Sequence, residues 1–140
     1  MLADGYRLVP IPPPVPDAVR LRVDAGLTPK NAEQTAQALA RSWAAAHVVR
    51  EPSGEVVGMG RVIGDGGRYF HIVDMATLPA HQRNGVGRAI LEHLLGRKRA
   101  TAPPGAYITL LADEPGRPLY RRLGFADTGP GTIGMYLPGG

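Results

Sequence analysis

The chain has 140 residues, enough for one domain with its own hydrophobic core, and a formal net charge of +4. It contains no cysteine, which excludes a disulfide framework and a thiolate zinc site. It also lacks an apolar run of bilayer length and a signal-peptide pattern, so we expect a single cytoplasmic domain over residues 1–140.

Hydrophobic periodicity and turn residues predict alternating strands and helices, typical of an α/β fold. The first predicted elements are a short strand at 6–10, a helix at 17–23 with Asp17 as N-cap, and a helix capped by Asn31 that runs to Ala46. Strands at 47–51, 55–63 and 69–78 follow, and then a helix at 86–95. The last predicted elements are a strand at 106–111, a helix at 118–123, and two short strands between Phe125 and Leu137.

A glycine-rich turn, Leu78–Arg88, lies between the predicted strand at 69–78 and the following helix. Backbone N–H groups at a helix N-terminus bind anions, and Gly85 and Gly87 have no side chains to block close approach. A nucleoside triphosphate loop would require Lys followed by Ser or Thr, a pair absent from this sequence. A dinucleotide fingerprint would require a third glycine where Ile90 stands. The pattern that remains is Gln-x-x-Gly-x-Gly, and the backbone N–H groups of such a turn fit a pyrophosphate.

A second segment, Pro118–Phe125, reads Pro-Leu-Tyr-Arg-Arg-Leu-Gly-Phe. The two segments, in this order and separated by a predicted strand, resemble the two signatures of the GNAT superfamily of N-acetyltransferases. The resemblance covers residues 69–125. It implies a mixed, mostly antiparallel sheet of about six to seven strands, flanked by about four helices and splayed at the acyl-CoA site. It also implies transfer of an acetyl group from acetyl-CoA to an amine in a ternary complex, without a metal.

The resemblance assigns acetyl-CoA to backbone groups on two neighbouring stretches. The pantetheine and the thioester are expected along Met75, Ala76 and Thr77, where a backbone N–H near Met75 would stabilise the oxyanion. Asp113 stands where the family often has an Asn that contacts CoA or a water. An acid here departs from that pattern, and Glu114 is an alternative residue for this contact. The pyrophosphate is expected on the turn residues Gln82, Arg83, Asn84, Gly85, Val86, Gly87 and Arg88.

Two side chains are the predicted catalytic residues. Tyr120 matches the family's tyrosine that protonates the leaving thiolate; the alternative is that it only packs in an amphipathic helix. His71 matches a position where several members place a catalytic Glu or His, and imidazole exchanges protons near neutral pH. A structural histidine, with a water chain as the base, is the alternative. Strand alternation places Asp74 on the face opposite His71, unless a bulge intervenes.

The resemblance implies that the acceptor is bound by two segments, residues 23–30 and residues 129–135. Leu27, Trp43, Tyr69 and Phe70 could offer an apolar wall suited to an aryl or alkyl amine, although the core interpretation is favoured for Trp43 and one ring of Tyr69-Phe70. A small-molecule primary amine is the leading prediction. A protein or peptide amine and a catalytically silent acyl-CoA sensor remain open, as does the choice between monomer and homodimer.

The basic charge does not by itself predict a nucleic-acid or membrane partner. Arginine supplies 14 of the 16 basic residues, and they are scattered along the chain. The dense run Arg97-Lys98-Arg99 follows a predicted helix, where cations stabilise the helix dipole. Aromatic residues are few and are not interleaved with basic ones, as base stacking would require. A positive surface would nonetheless attract the strongly anionic CoA.

Overall fold

A five-stranded sheet dominates the computed structural model, which describes residues 1–139. The strands lie in chain order across the sheet, each antiparallel to the next except for the parallel pair β4–β5. A parallel pair needs a crossover connection, and a helix between these two strands supplies it. The strands are β1 Tyr6–Val9, β2 Ala44–Arg50, β3 Glu55–Gly64, β4 Tyr69–Thr77 and β5 Tyr107–Leu110.

Residues 1–139 also form four α-helices: α1 Val15–Asp24, α2 Ala32–Ala40, α3 Val86–Thr101 and α4 Arg117–Arg122. The chain forms two compact units. The first, Met1–Leu110, holds the sheet and α1 to α3, and the second begins at Leu111 and holds α4. Among the residues described, none of these helices is both long enough and apolar enough to cross a membrane.

Helix α3 packs closely on one face of the sheet because β3 carries glycine at two positions. A Cβ at Gly58 would collide with Val86, and a Cβ at Gly60 would lie 2.8 Å from Cγ2 of Ile90. Ile90 is fully buried, so this contact belongs to the core of the first unit. The opposite face of β3 contacts α1 and α2, where the Arg61 guanidinium donates to the carbonyl of Ala38 on α2.

The structure corrects the expected strand count, since the sheet has five strands rather than six to seven. The two strands predicted between Phe125 and Leu137 are absent. Thr132 N–H donates to Thr128 O at 3.3 Å and closes a turn instead. Glycines and a proline occupy 129–131, and proline cannot donate to a ladder. The apolar residues that suggested strands here, such as Ile133 and Met135, are exposed.

The helical boundaries also differ from the predictions near the N-terminus. Asn31 caps α2 as predicted, accepting from Gln34 N–H at 2.7 Å, but the helix ends at Ala40. Residues 44–46 lie in β2 and are buried, so sheet packing overrides the helix propensity of alanine. Helix α1 begins at Val15 after Pro14, which places Asp17 in its first turn rather than at the N-cap.

Candidate active site

A β-bulge interrupts β4 in the middle of the sheet. Met59 pairs with Ala76 and Arg61 pairs with Val73, so two residues of β4, Asp74 and Met75, lie opposite one residue of β3. Asp74 adopts a left-handed backbone with φ 57°, which aspartate tolerates better than most residues. The extra residue shifts the alternation of side chains beyond this point.

Beyond the bulge, one edge of β4 is open. Strand β5 ends at Leu110, which pairs with Ile72, whereas β4 continues to Thr77. Residues 73–77 therefore extend past β5, and their outer backbone groups have no partner in that strand. The stretch predicted to bind pantetheine and the thioester, Met75 to Thr77, lies within this open edge.

The glycine-rich turn follows directly and presents free donors. After a 3₁₀ turn at Pro79–His81, Arg83 and Gly85 adopt left-handed backbones with φ 64° and 78°. The first helical hydrogen bond of α3 runs from Ala89 N–H to Gly85 O, so the N–H groups of residues 86–88 have no partner within the helix. The Asn84 amide holds the turn by donating to the carbonyls of residues 81 and 82, both at 3.1 Å. This cradle of N–H groups fits a pyrophosphate.

Gly85 is required on two counts. Its left-handed φ disfavours any side chain, and a Cβ here would collide with the carbonyl oxygen of Met1 and lie 3.1 Å from Leu2 Cα. The N-terminal segment is fixed against the turn by a 2.9 Å hydrogen bond from Ala3 N–H to Asn84 O. Sequence reasoning missed this contact because the first residues carry no pattern that points to the turn.

His71 lies on β4 before the bulge, and its Nδ1 is 2.8 Å from the hydroxyl of Thr109 on β5. It pairs with Ile63, two residues from Arg61, so His71 shares a face with Arg61. Asp74 binds Arg61 and therefore also lies on this face. The structure thus corrects the expectation from simple alternation, and the bulge is the physical reason.

Two arginines hold Asp74, and sequence reasoning did not connect them. Arg22 Nη1 on α1 lies 2.5 Å from Oδ1 of Asp74, and Arg61 Nε lies 2.5 Å from Oδ2. The available signal was Arg61 itself, a charge within an otherwise apolar strand. Arg22 on α1 carried no comparable signal, because it lies 52 positions from Asp74 in the chain.

In the second unit, Tyr120 on α4 packs its ring over Gly116 and edge-on against Phe125, with ring centroids 6.1 Å apart. Burial raises the pKa of the Tyr120 phenol, and the carboxylate of Asp113 raises it further. The phenol therefore remains a proton donor above the pH at which a free tyrosine ionises. The Asp113 main chain begins the 3₁₀ turn Glu114–Gly116, where its carbonyl accepts from Gly116 N–H at 3.0 Å.

The aromatic residues considered for an acceptor wall divide into core and surface. Phe70 is buried and packs edge-on against Trp43 with centroids 4.6 Å apart, which favours the core interpretation. Tyr69 is exposed and lies edge-on to Tyr107. Of the other histidines, His47 is buried with Nδ1 2.8 Å from the carbonyl of Ile11, a structural role.

The remaining histidines are His81 and His93. His81 Nδ1 lies 2.9 Å from the hydroxyl of Tyr6. Burial lowers the pKa of His93, and the charge of Arg97 lowers it further. Residues 1–139 contain no group of three or more His, Cys, Asp or Glu side chains placed to hold a metal ion.

Comparison with known proteins identifies the class. Residues 42–127 match the model of the acetyltransferase (GNAT) domain, so the chain belongs to the GNAT family of acetyltransferases. It is accordingly an acyltransferase enzyme, and its family uses acetyl-CoA as cosubstrate. The match includes β2 to α4 and both signature segments.

Individual relatives agree with this assignment. A probable acetyltransferase from Meticillin-resistant Staphylococcus aureus is 34% identical, with a TM-score of 0.88 over 94% of this chain and 98% of that one. A GNAT-family acetyltransferase from Streptococcus pneumoniae shares the fold at 24% identity, with a TM-score of 0.75 over 94% and 98% of the two chains. GCN5-related N-acetyltransferase 3, chloroplastic, from Arabidopsis thaliana is 32% identical over 83 residues, 59% of this chain. That match spans only 34% of the plant protein's length.

Proposed function

We propose that the chain, acting as a single domain, transfers the acetyl group of acetyl-CoA to a small-molecule primary amine. The observation that carries the proposal is the open edge of β4 at Met75–Thr77, which is followed along the chain by the N–H cradle of residues 86–88. A thioester on the first and a pyrophosphate on the second would have backbone partners that this fold otherwise leaves unused.

In this proposal the residues divide the chemistry among them. The amine nitrogen attacks the thioester carbon while a backbone N–H near Met75 stabilises the oxyanion. The carbon–sulfur bond then breaks, and Tyr120 donates its proton to the thiolate. Before the attack, His71 removes a proton from the ammonium form of the acceptor, directly or through water, and the proton that the amide nitrogen loses as it forms restores the phenol of Tyr120. The Thr109 hydroxyl can donate to Phe70 O, which lies 3.5 Å away. The Thr109 oxygen is then able to accept a hydrogen bond from Nδ1–H of His71, which leaves Nε2 of His71 unprotonated as the base.

The first test is CoA release from acetyl-CoA across a panel of amines. The panel contains tryptamine, phenethylamine, a polyamine, amino acids, an aminoglycoside and a lysine peptide. Release with a small amine supports the proposal, and release with the peptide alone redirects it to a protein acceptor. If no amine of the panel gives CoA release, in protein that binds acetyl-CoA, the result would favour a sensor module.

His71→Ala is expected to lower the rate by about ten-fold or more below the pKa of the acceptor amine, and much less above it. The reason is that a base is needed only while the amine is protonated. The measurement is the pH–rate profile of kcat/KM with one amine. Thr109→Val is the companion variant, since it removes the Nδ1 partner but keeps the ring. An unchanged profile in His71→Ala would return His71 to a structural role.

A further inference from the structure

The Arg22–Asp74–Arg61 cluster joins three elements beside the open edge of β4. Arg22 comes from α1, Arg61 from β3 and Asp74 from the bulge, with both arginines 2.5 Å from the shared carboxylate. The side chains are 15%, 13% and 17% exposed, respectively. Partial burial strengthens electrostatic interactions relative to water, so the charge of this cluster matters for any ligand nearby.

The cluster carries an excess positive charge. Two guanidinium groups share one carboxylate, and no other acid within residues 1–139 lies within 4.0 Å of either arginine. A partly buried cation without its own counter-ion favours binding of an anion, because pairing offsets the cost of its desolvation.

Each arginine also has donors to spare. Arg22 Nε donates to Thr28 O at 2.7 Å and Arg61 Nη1 to Ala38 O at 3.4 Å, while Nη2 of each donates to no group in the described chain. Since no buried side-chain nitrogen or oxygen in residues 1–139 lacks a partner, both Nη2 atoms reach solvent. Free guanidinium N–H groups recognise carboxylate and phosphate oxygens.

The position of the cluster relates this charge to the acceptor. Asp74 directly precedes Met75, where the thioester is proposed to lie, and Arg61 shares a sheet face with His71. The carbonyl of Thr28 places the α1–α2 connection, one of the expected acceptor-binding segments, against Arg22. Asp74 and Met75 are successive residues of β4, about 3.3 Å apart along the strand, so we infer that one small acceptor can place its amine at the thioester and its anion at the cluster.

We propose that the acceptor is an amine that also carries an anionic group, a carboxylate or a phosphate, bound by Arg22 and Arg61. The inference rests on the proposed function, because it names the acceptor class for the same site. It narrows the small-molecule amines to those with both an amino group and an anion.

The test compares acceptors in pairs that differ in the anion. The pairs are phenylalanine with phenethylamine, tryptophan with tryptamine, and glucosamine 6-phosphate with glucosamine. We expect kcat/KM to be at least about ten-fold higher for the anion-bearing member of one or more pairs, mainly through a lower KM. The first two pairs test a carboxylate and the third a phosphate. The inference would be overturned if, in all three pairs, kcat/KM for the amine without the anion equalled or exceeded kcat/KM for the anion-bearing amine.

Arginine variants locate the effect. Arg22→Gln should reduce the preference within a pair by about ten-fold, and Arg22→Lys, which keeps the charge, should retain part of it. Arg7→Gln is the matched control: it removes the same charge from an exposed pair with Glu51 and should leave the preference unchanged. An equal loss in Arg7→Gln and Arg22→Gln would assign the preference to overall charge and overturn the site.

A binding arm separates this inference from the proposed function. At constant ionic strength, inorganic phosphate or acetate should raise the Tm of the wild-type chain more than that of Arg22→Gln. This result is independent of turnover. Anion binding that depends on Arg22, without acetyl transfer to any amine, would contradict the proposed function and keep the anion site. Acetyl transfer without Arg22-dependent anion binding would contradict the anion site and keep the proposed function.

Discussion

Tyr120→Phe is expected to reduce kcat by about 10²–10⁴-fold while leaving the affinity for acetyl-CoA nearly unchanged. Phenylalanine keeps the ring that packs on Gly116 and Phe125, so the fold of the second unit should persist. Only the phenolic hydroxyl is lost, and with it the group proposed to protonate the leaving thiolate. The measurement is steady-state turnover together with acetyl-CoA titration and Tm.

Tyr107→Phe is the control for this variant. It deletes a hydroxyl from an exposed tyrosine on β5 and should leave turnover and Tm unaltered. Wild-type turnover in Tyr120→Phe would remove the acid role and leave Tyr120 as a packing residue.

The pH dependence of Tyr120 supplies a second readout. Burial raises the pKa of the Tyr120 phenol, and Asp113 raises it further. The phenol therefore stays protonated through the pH range in which a free tyrosine ionises, about 10. Activity should therefore not fall from loss of this proton below about pH 10. Asp113→Asn removes the second cause, so the pKa of Tyr120 should move down. The pH titration of tyrosinate absorbance isolates Tyr120 as the difference between wild type and Tyr120→Phe, and as the difference between Asp113→Asn and its Tyr120→Phe double variant. Comparison of the two titrations measures that shift.

Gly85→Val is expected to weaken acetyl-CoA binding by about ten-fold or more. The cause is steric and conformational: a branched side chain would have to adopt φ 78° and would collide with the backbone of Met1. Either the turn or the N-terminal segment must move, and the N–H groups of residues 86–88 would lose their common orientation. Acetyl-CoA titration by calorimetry measures the loss.

Gly105→Val separates this loss from general strain. Gly105 has a similar backbone, φ 80°, between α3 and β5, and a Cβ there meets no atom within 4 Å. It should cost stability through its backbone alone and leave acetyl-CoA affinity intact. Matching losses of affinity in the two variants would show that destabilisation, and not the turn, controls binding.

The family assignment followed from short segments whose chemistry is local. A glycine turn between a strand and a helix is defined by backbone conformation over a few residues, so Gly85, Gly87 and the start of α3 at Val86 were predictable from sequence. Asn31 was identifiable as a helix cap for the same reason, because its side chain bonds only three residues ahead.

Elements that depend on partners were predicted less well. Residues 44–46 are good helix formers but pair with β3 and are buried, and the apolar residues after Gly131 are exposed outside the sheet. Local propensity does not decide whether a neighbouring strand is available.

The sequence by itself determined the family, the glycine-rich turn and the candidate acid and base, since each depends on residue type at short spacing. Only the tertiary structure decided the face of Asp74 and its pairing with Arg22 and Arg61, as well as the free edge of β4. A bulge shifts every side chain beyond it, and ion pairs between residues tens of positions apart depend on how helices and strands pack. Those long-range contacts carry the charge that the acceptor would meet.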